Sequence, residues 1–140
     1  MKSEGKYVLI LKFSEVYFKA ADEKVFDVAL GDKIILKNLD IFSMVGKAAA
    51  YDEYVEIELK NNKIIHNKVE AENAYDSDKK ALIIRFIKGP KDNPKINGIV
   101  ILEGTIQGNL YLNTFSLRWI YLVFYFIIIA FYTAKYFKSF

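Results

Sequence analysis

Between Tyr7 and Gly104, short apolar and β-branched runs recur seven times with turn signals between them, and no stretch carries a twelve-residue amphipathic period. The runs are YVLILKF (7–13), KVFDVAL (24–30), KIILK (33–37), YVEIEL (54–59), KIIHNKV (63–69), KALIIRFIK (80–88) and INGIVILEG (96–104). Seven short strands at this spacing predict an all-β fold, an antiparallel β-sandwich or jelly roll. Residues 54–59 alternate strictly, Tyr54, Glu56 and Glu58 against Val55, Ile57 and Leu59, as a half-buried strand does. Gly31-Asp32 and Asn61-Asn62 supply the positive φ that tight hairpins need. Residues 70–79, EAENAYDSDK, read as a polar excursion between strands.

The carboxyl-terminal end is of another kind. From Trp119 to Ala134 sixteen residues carry no charge, with Arg118 and Lys135 at the borders. As a helix this run is roughly 24 Å long, and snorkelling of the bordering cations extends it toward a ~30 Å hydrocarbon core. It is apolar on every face, which argues against a helix packed on a small domain and for one in a lipid bilayer. Trp119, Tyr121, Tyr132 and Tyr136 sit where aromatic rings favour the headgroup levels. The expected division is a folded body at 1–106, a linker at 107–114, a transmembrane helix at 115–137 and a tail at 138–140. Lys135 and Lys138 give the tail a basic excess that favours the cytosolic side, so the body faces a lumen. The amino terminus, MKSEGKYVLILKF, does not read as a signal peptide, which leaves two expectations: a mature or truncated chain, or a tail anchor with the body in the cytosol.

Composition removes most function classes. The chain has Lys+Arg 20 against Asp+Glu 17, and the three-charge excess belongs to residues 115–140; the body is neutral, with its cations scattered among acids. That pattern lacks the clustered footprint of nucleic-acid binding. There is no cysteine and a single histidine, His66, so disulfides, thiolate chemistry, multi-histidine metal clusters and histidine-based triads are excluded, and no cofactor or metal is called for. His66 alternates with Ile65 and is read as lying on a solvated strand face.

Two segments fit neither strand nor ordinary turn. In Ser14-Glu15-Val16-Tyr17-Phe18-Lys19 two large rings are adjacent, and an extended chain sends neighbours to opposite faces, so at least one ring should be displayed. In Gly89-Pro90-Lys91-Asp92-Asn93-Pro94 two prolines restrict a loop whose Asp92 and Asn93 concentrate acceptors and donors. A sugar ring needs a flat aromatic surface for its C–H face and a carboxylate or amide for its hydroxyl rim, and these segments supply both. The plainer alternatives are one core ring with one rim ring, and an Asx turn that only caps its loop. Tyr51-Asp52-Glu53 offers a second carboxylate pair or simply a polar bend.

The series YVLILKFSEVYF, KVFDVAL, KNLDIFSMVGKAAAYDE and FIKGPKDNPKINGIVILEGT, across residues 6 to about 106, closely resembles the malectin family of carbohydrate-binding proteins of the endoplasmic reticulum. The resemblance implies a jelly-roll-like antiparallel β-sandwich in the lumen, followed by one carboxyl-terminal membrane helix. It also implies a ligand, the glucosylated high-mannose N-glycan, diglucosylated preferred, read in glycoprotein quality control, and a partner, ribophorin I of the oligosaccharyltransferase. The family's EVYF motif places carbohydrate-binding roles on Tyr17 and Phe18, and its DNP motif places one on Asp92. Two further ligand-contacting tyrosines of the family have no counterpart in residues 1–6, and Lys91 stands where the family often has an aromatic. Two readings follow: a membrane-tethered lectin without catalysis, and a malectin-derived structural subunit that packs in a membrane complex without binding sugar. A glycoside hydrolase, needing two carboxyls about 5 to 9 Å apart, ranks third because no motif selects a pair.

Overall fold

The computed structural model describes residues 1 and 3–107. Its elements run β1 (Gly5–Ser14), β2 (Phe26–Leu30), β3 (Lys33–Leu39), α1 (Ile41–Val45), β4 (Ala50–Lys60), β5 (Lys63–His66), β6 (Val69–Ala71), β7 (Tyr75–Asp76), β8 (Ala81–Leu82), β9 (Ile84–Lys88) and β10 (Gly98–Glu103). The expected membrane helix and tail, with nearly all of the linker, lie outside the described residues. Among the described residues no helix is long and apolar enough to cross a membrane.

One sheet has the order β10-β1-β4-β5-β6 and a second the order β3-β2-β9, while β7 and β8 pair as a separate ribbon. Every strand pairing is antiparallel. Pleat alternation sends Tyr7, Leu9, Leu11 and Phe13 of β1, with Val55, Ile57 and Leu59 of β4, into one core with Phe26, Val28 and Leu30 of β2. The two sheets therefore form a β-sandwich. Phe13 occupies one end of that core, its ring 6.1 Å from those of both Phe26 and Tyr51. Burying such a side chain contributes roughly 1.5–3 kcal/mol, so the Phe13 end is well anchored.

The alternation expected at 54–59 holds: Val55, Ile57 and Leu59 are buried, and Tyr54 is exposed. Asn61 and Asn62 both take positive φ, and Gly31 does so at the β2–β3 turn. A Cβ on Gly31 would lie 2.0 Å from the Glu72 carbonyl oxygen, so only glycine fits there.

Several expectations change in detail. The run 63–69 is two strands rather than one, because Asn67 and Lys68 both adopt positive φ and reverse the chain. The run 80–88 breaks at Ile83, whose N–H and carbonyl leave the ladder for Ala74 and Gly31. The polar stretch 70–79 is not wholly an excursion, since it ends β6, contains β7 and contributes buried Ala71 and Ala74 to the core. His66 falls on the side of buried Ile64 and is half-buried, its Nδ1 2.9 Å from the Glu56 carbonyl oxygen. The solvated face read for it is thereby corrected. α1 was not expected; Asp40 caps it, accepting from the Ser43 N–H at 3.1 Å, and Gly46 ends it at φ 79°.

β10 forms an edge of the larger sheet. Its Ile99 and Ile101 pair with Leu11 and Leu9 and so face inward, yet they remain 45% and 41% exposed. The smaller sheet does not cover them.

Candidate functional site

At the end of β1 the chain stops behaving as a strand because Glu15 turns inward. The residue is 1% exposed, and its Oε1 accepts the backbone N–H groups of Tyr17 at 2.7 Å and Phe18 at 3.2 Å. One carboxylate oxygen thus caps two successive amides and folds the backbone into a tight turn, as side-chain acceptors do at turn starts. Burial pushes the Glu15 carboxyl up, but those two amides, with Lys24 and Lys95 nearby, outweigh it and hold the group below its ordinary range. A second carboxylate, Glu23, accepts from the N–H groups of Lys19 and Ala20, both at 3.0 Å. The turn is stapled from both ends.

Outside the strand, alternation no longer separates the two rings. Tyr17 is 77% exposed and Phe18 is half-buried, and their centroids lie 5.0 Å apart at 90°, edge to face. Neither ring belongs to the core, so the alternative of one core ring does not describe this chain.

Asp92 arrives from the other sheet. Pairing of Phe26 with Lys88 brings β9 alongside β2, and the loop that follows lies so close to it that a Cβ on Gly89 would sit 2.0 Å from the Val25 carbonyl oxygen. The loop ends on β1, where the Asn97 N–H donates to the Lys12 carbonyl at 2.9 Å and its Oδ1 accepts from the Ser14 N–H at 2.9 Å. Between these ends the Asp92 carboxylate meets the Lys24 ammonium at 3.0 Å. Lys24 also lies 3.6 Å from Glu15 Oε2 and 5.3 Å from the centroid of the Phe18 ring. The Lys24 hydrogen bond, followed by the Asn93 backbone N–H, holds the Asp92 carboxyl below its ordinary value. Asp92 therefore does more than cap its own loop. A cleft of about 240 Å³, lined by Asp22, Val25, Asn38, Pro90 and Lys91, adjoins this pair through the chain neighbours of Lys24 and Asp92.

The structure brings Tyr17, Phe18 and Asp92 to one end of the sandwich, joined through Lys24. Tyr51, Asp52 and Glu53 do not join them, and they form no carboxylate pair. All three lie within β4, where Asp52 is ion-paired with Lys12 and Glu53 accepts from the Tyr51 hydroxyl. Burial, then the Glu53 hydrogen bond, pushes the Tyr51 hydroxyl up to about 12.

The sequence model of the malectin domain matches residues 1–99. The chain belongs to the malectin family. It is 43% identical over 107 residues to malectin of Mus musculus and 42% identical over 107 residues to malectin of Homo sapiens, in each case 76% of this chain and 35% of the relative. Malectin-A of Xenopus laevis is 43% identical over 105 residues, 75% of this chain and 36% of the relative. The chain thus spans about a third of the length of these malectins. Reading the sequence singled out the rings and the acid of this malectin domain but missed the roles of Lys24 and Glu15. Glu15 had a signal, an acid two residues before adjacent rings at a strand exit. Lys24 had none, since its partners lie in distant segments.

Proposed function

We propose that this chain is a membrane-anchored lectin of the endoplasmic reticulum lumen that binds glucosylated high-mannose N-glycans, the diglucosylated arm preferred, in glycoprotein quality control. In this reading the jelly-roll-like body is residues 1–106, a linker at 107–114 leads to a transmembrane helix at 115–137, and 138–140 form a cytosolic tail. Tyr17 and Phe18 receive the C–H surface of a glucose ring, one ring stacked on it and the other, at 90°, flanking it, and Asp92 accepts hydrogen bonds from its hydroxyls. No bond is made or broken, and ribophorin I of the oligosaccharyltransferase is the protein partner the family suggests.

The observation that carries this reading is the meeting of two displayed rings and one charged carboxylate, from opposite sheets, around the single ammonium of Lys24. Its test is retention of the full chain on immobilised oligoglucoside. Asp92→Ala is expected to abolish retention while the fold persists; retention at the unsubstituted level would count against Asp92 as a sugar contact.

A second reading, a structural subunit without sugar binding, is favoured by the uncovered inward residues Ile99 and Ile101 on the β10 edge. Size-exclusion chromatography in detergent separates the two: a lectin elutes alone as a small species, and a subunit elutes with partner chains.

A further inference from the structure

Lys24 meets Asp92, Phe18 and the Glu15 carboxylate that shapes the ring-bearing turn. Its ammonium is 3.0 Å from Asp92 Oδ2, 3.6 Å from Glu15 Oε2 and 5.3 Å from the Phe18 centroid, and its side chain is only 14% exposed. Glu15 Oε2 is buried without a hydrogen-bond partner, so Lys24, with Lys95 as a further cation, supplies the counter-charge that makes its burial tolerable. The other oxygen of the same carboxylate holds the Tyr17 and Phe18 amides. One cation therefore links the turn that displays the rings to the loop that carries the acid.

The rest of the fold explains why that link is needed. The 89–97 loop is held at its start by close packing of Gly89 on Val25 and at its end by Asn97 on β1. Asp92 lies between those points, and its salt bridge is with Lys24. Lys24 immediately precedes Val25, so the same short segment fixes the loop at Gly89 and at Asp92. Lys24, its side chain largely covered, sits between two carboxylates and a ring face, so more than one contact holds it, unlike a lone surface ion pair whose energy water and entropy largely cancel.

We infer that Lys24 is a positioning residue that sets the spacing between the aromatic ledge and the Asp92 acceptor. This rests on reading Tyr17, Phe18 and Asp92 as one sugar site. Lys24 holds Asp92 Oδ2 and the Asn93 N–H donates to the same carboxylate, so the lone pairs that remain are the ones available to a hydroxyl. The two contacts tie the Asp92 carboxylate and the Phe18 ring to one ammonium.

The test uses the full chain in detergent, first without sugar. Lys24→Met keeps most of the side-chain stem and removes the charge. It is expected to raise the Asp92 titration midpoint, read by carboxyl carbon NMR, toward the ordinary value, and to speed amide exchange at Lys91, Asp92 and Asn93 by roughly tenfold. Lys24→Arg should restore both. An Asp92 midpoint and loop exchange unchanged in Lys24→Met would overturn the inference, whatever the sugar does. Should Lys24→Met fail to fold, Asp92→Asn approaches the link from the other side: the loop amides should exchange faster while the Tyr17 and Phe18 amides stay protected, and a loop exchanging at the original rate overturns the inference. On immobilised oligoglucoside, Lys24→Met is expected to lose retention about tenfold and Lys24→Arg to recover most of it. If the unsubstituted chain is not retained but the ligand-free changes occur, the sugar reading fails and the positioning role stands.

Discussion

Phe13 and Phe18 are five positions apart on one chain and end in opposite environments. Phe13 is 1% exposed and packs between Phe26 and Tyr51, whereas Phe18 leaves the core and lies edge to face with Tyr17 at the rim. Hydrophobicity cannot separate two identical side chains. The backbone does: up to Ser14 the β1 ladder imposes a two-residue alternation, and at Glu15 a buried carboxylate takes the amides that would otherwise continue it. The core end is held by apolar packing, the rim by the carboxylates of Glu15, Glu23 and Asp92 and the ammonium of Lys24. The two regions should therefore fail differently when altered.

The largest effect is expected at Phe13. Phe13→Ala removes a fully buried ring and should cost about 3–5 kcal/mol of stability, measured by urea unfolding, with sugar retention lost only in proportion to unfolding. Glu15→Ala attacks the boundary between the two regions. It leaves the Tyr17 and Phe18 amides without their acceptor and Lys24 with Asp92 alone, so about 1–3 kcal/mol should be lost. Retention of the remaining folded protein should fall with it, because the rings are no longer held outward. Glu15→Gln keeps an amide acceptor and should fall between Glu15→Ala and the unsubstituted chain. Tyr17→Ala sharpens the contrast from the rim side: at an exposed position the stability change should stay within about 0.5 kcal/mol, while oligoglucoside retention is expected to drop at least tenfold. A stability loss like that of Phe13→Ala would show Tyr17 to be a core residue.

The smallest expected effect is that of pH. Both Glu15 and Asp92 have folded-state values below their ordinary ones, 4.5 and 3.8. A depressed value contributes stability that is fully present above the ordinary value and is lost as pH falls through the folded one. Retention and stability arising from this cluster should therefore be flat between pH 7 and about 5 and decline only in more acidic solution. A decline centred near pH 6 would assign binding to a different group.

Most of the sandwich was legible because strands with one buried face print their alternation, as Val55, Ile57 and Leu59 do, and because Gly31 and the Asn61-Asn62 pair mark their turns. The β5–β6 hairpin escaped because Lys68, not a turn former, takes positive φ beside Asn67, and an apolar-rich run across it looks continuous. α1 escaped because its signals, Asp40 and Gly46, enclose only five residues, less than two turns of periodicity. At the site, the adjacent rings and the Asp-Asn loop stood out as departures from strand grammar. Their joining through Lys24 did not, because an ion pair between distant segments leaves no spacing rule in the chain.

The most direct measurement is an NMR titration of the full chain in detergent with a glucose disaccharide, following the ring signals of Tyr17 and Phe18 together with the Asp92 carboxyl carbon. One site formed by both segments requires all three to shift with a single saturation curve, while the Phe13 ring stays still. Ring signals that move without Asp92, or a sugar that moves none of the three, would contradict it.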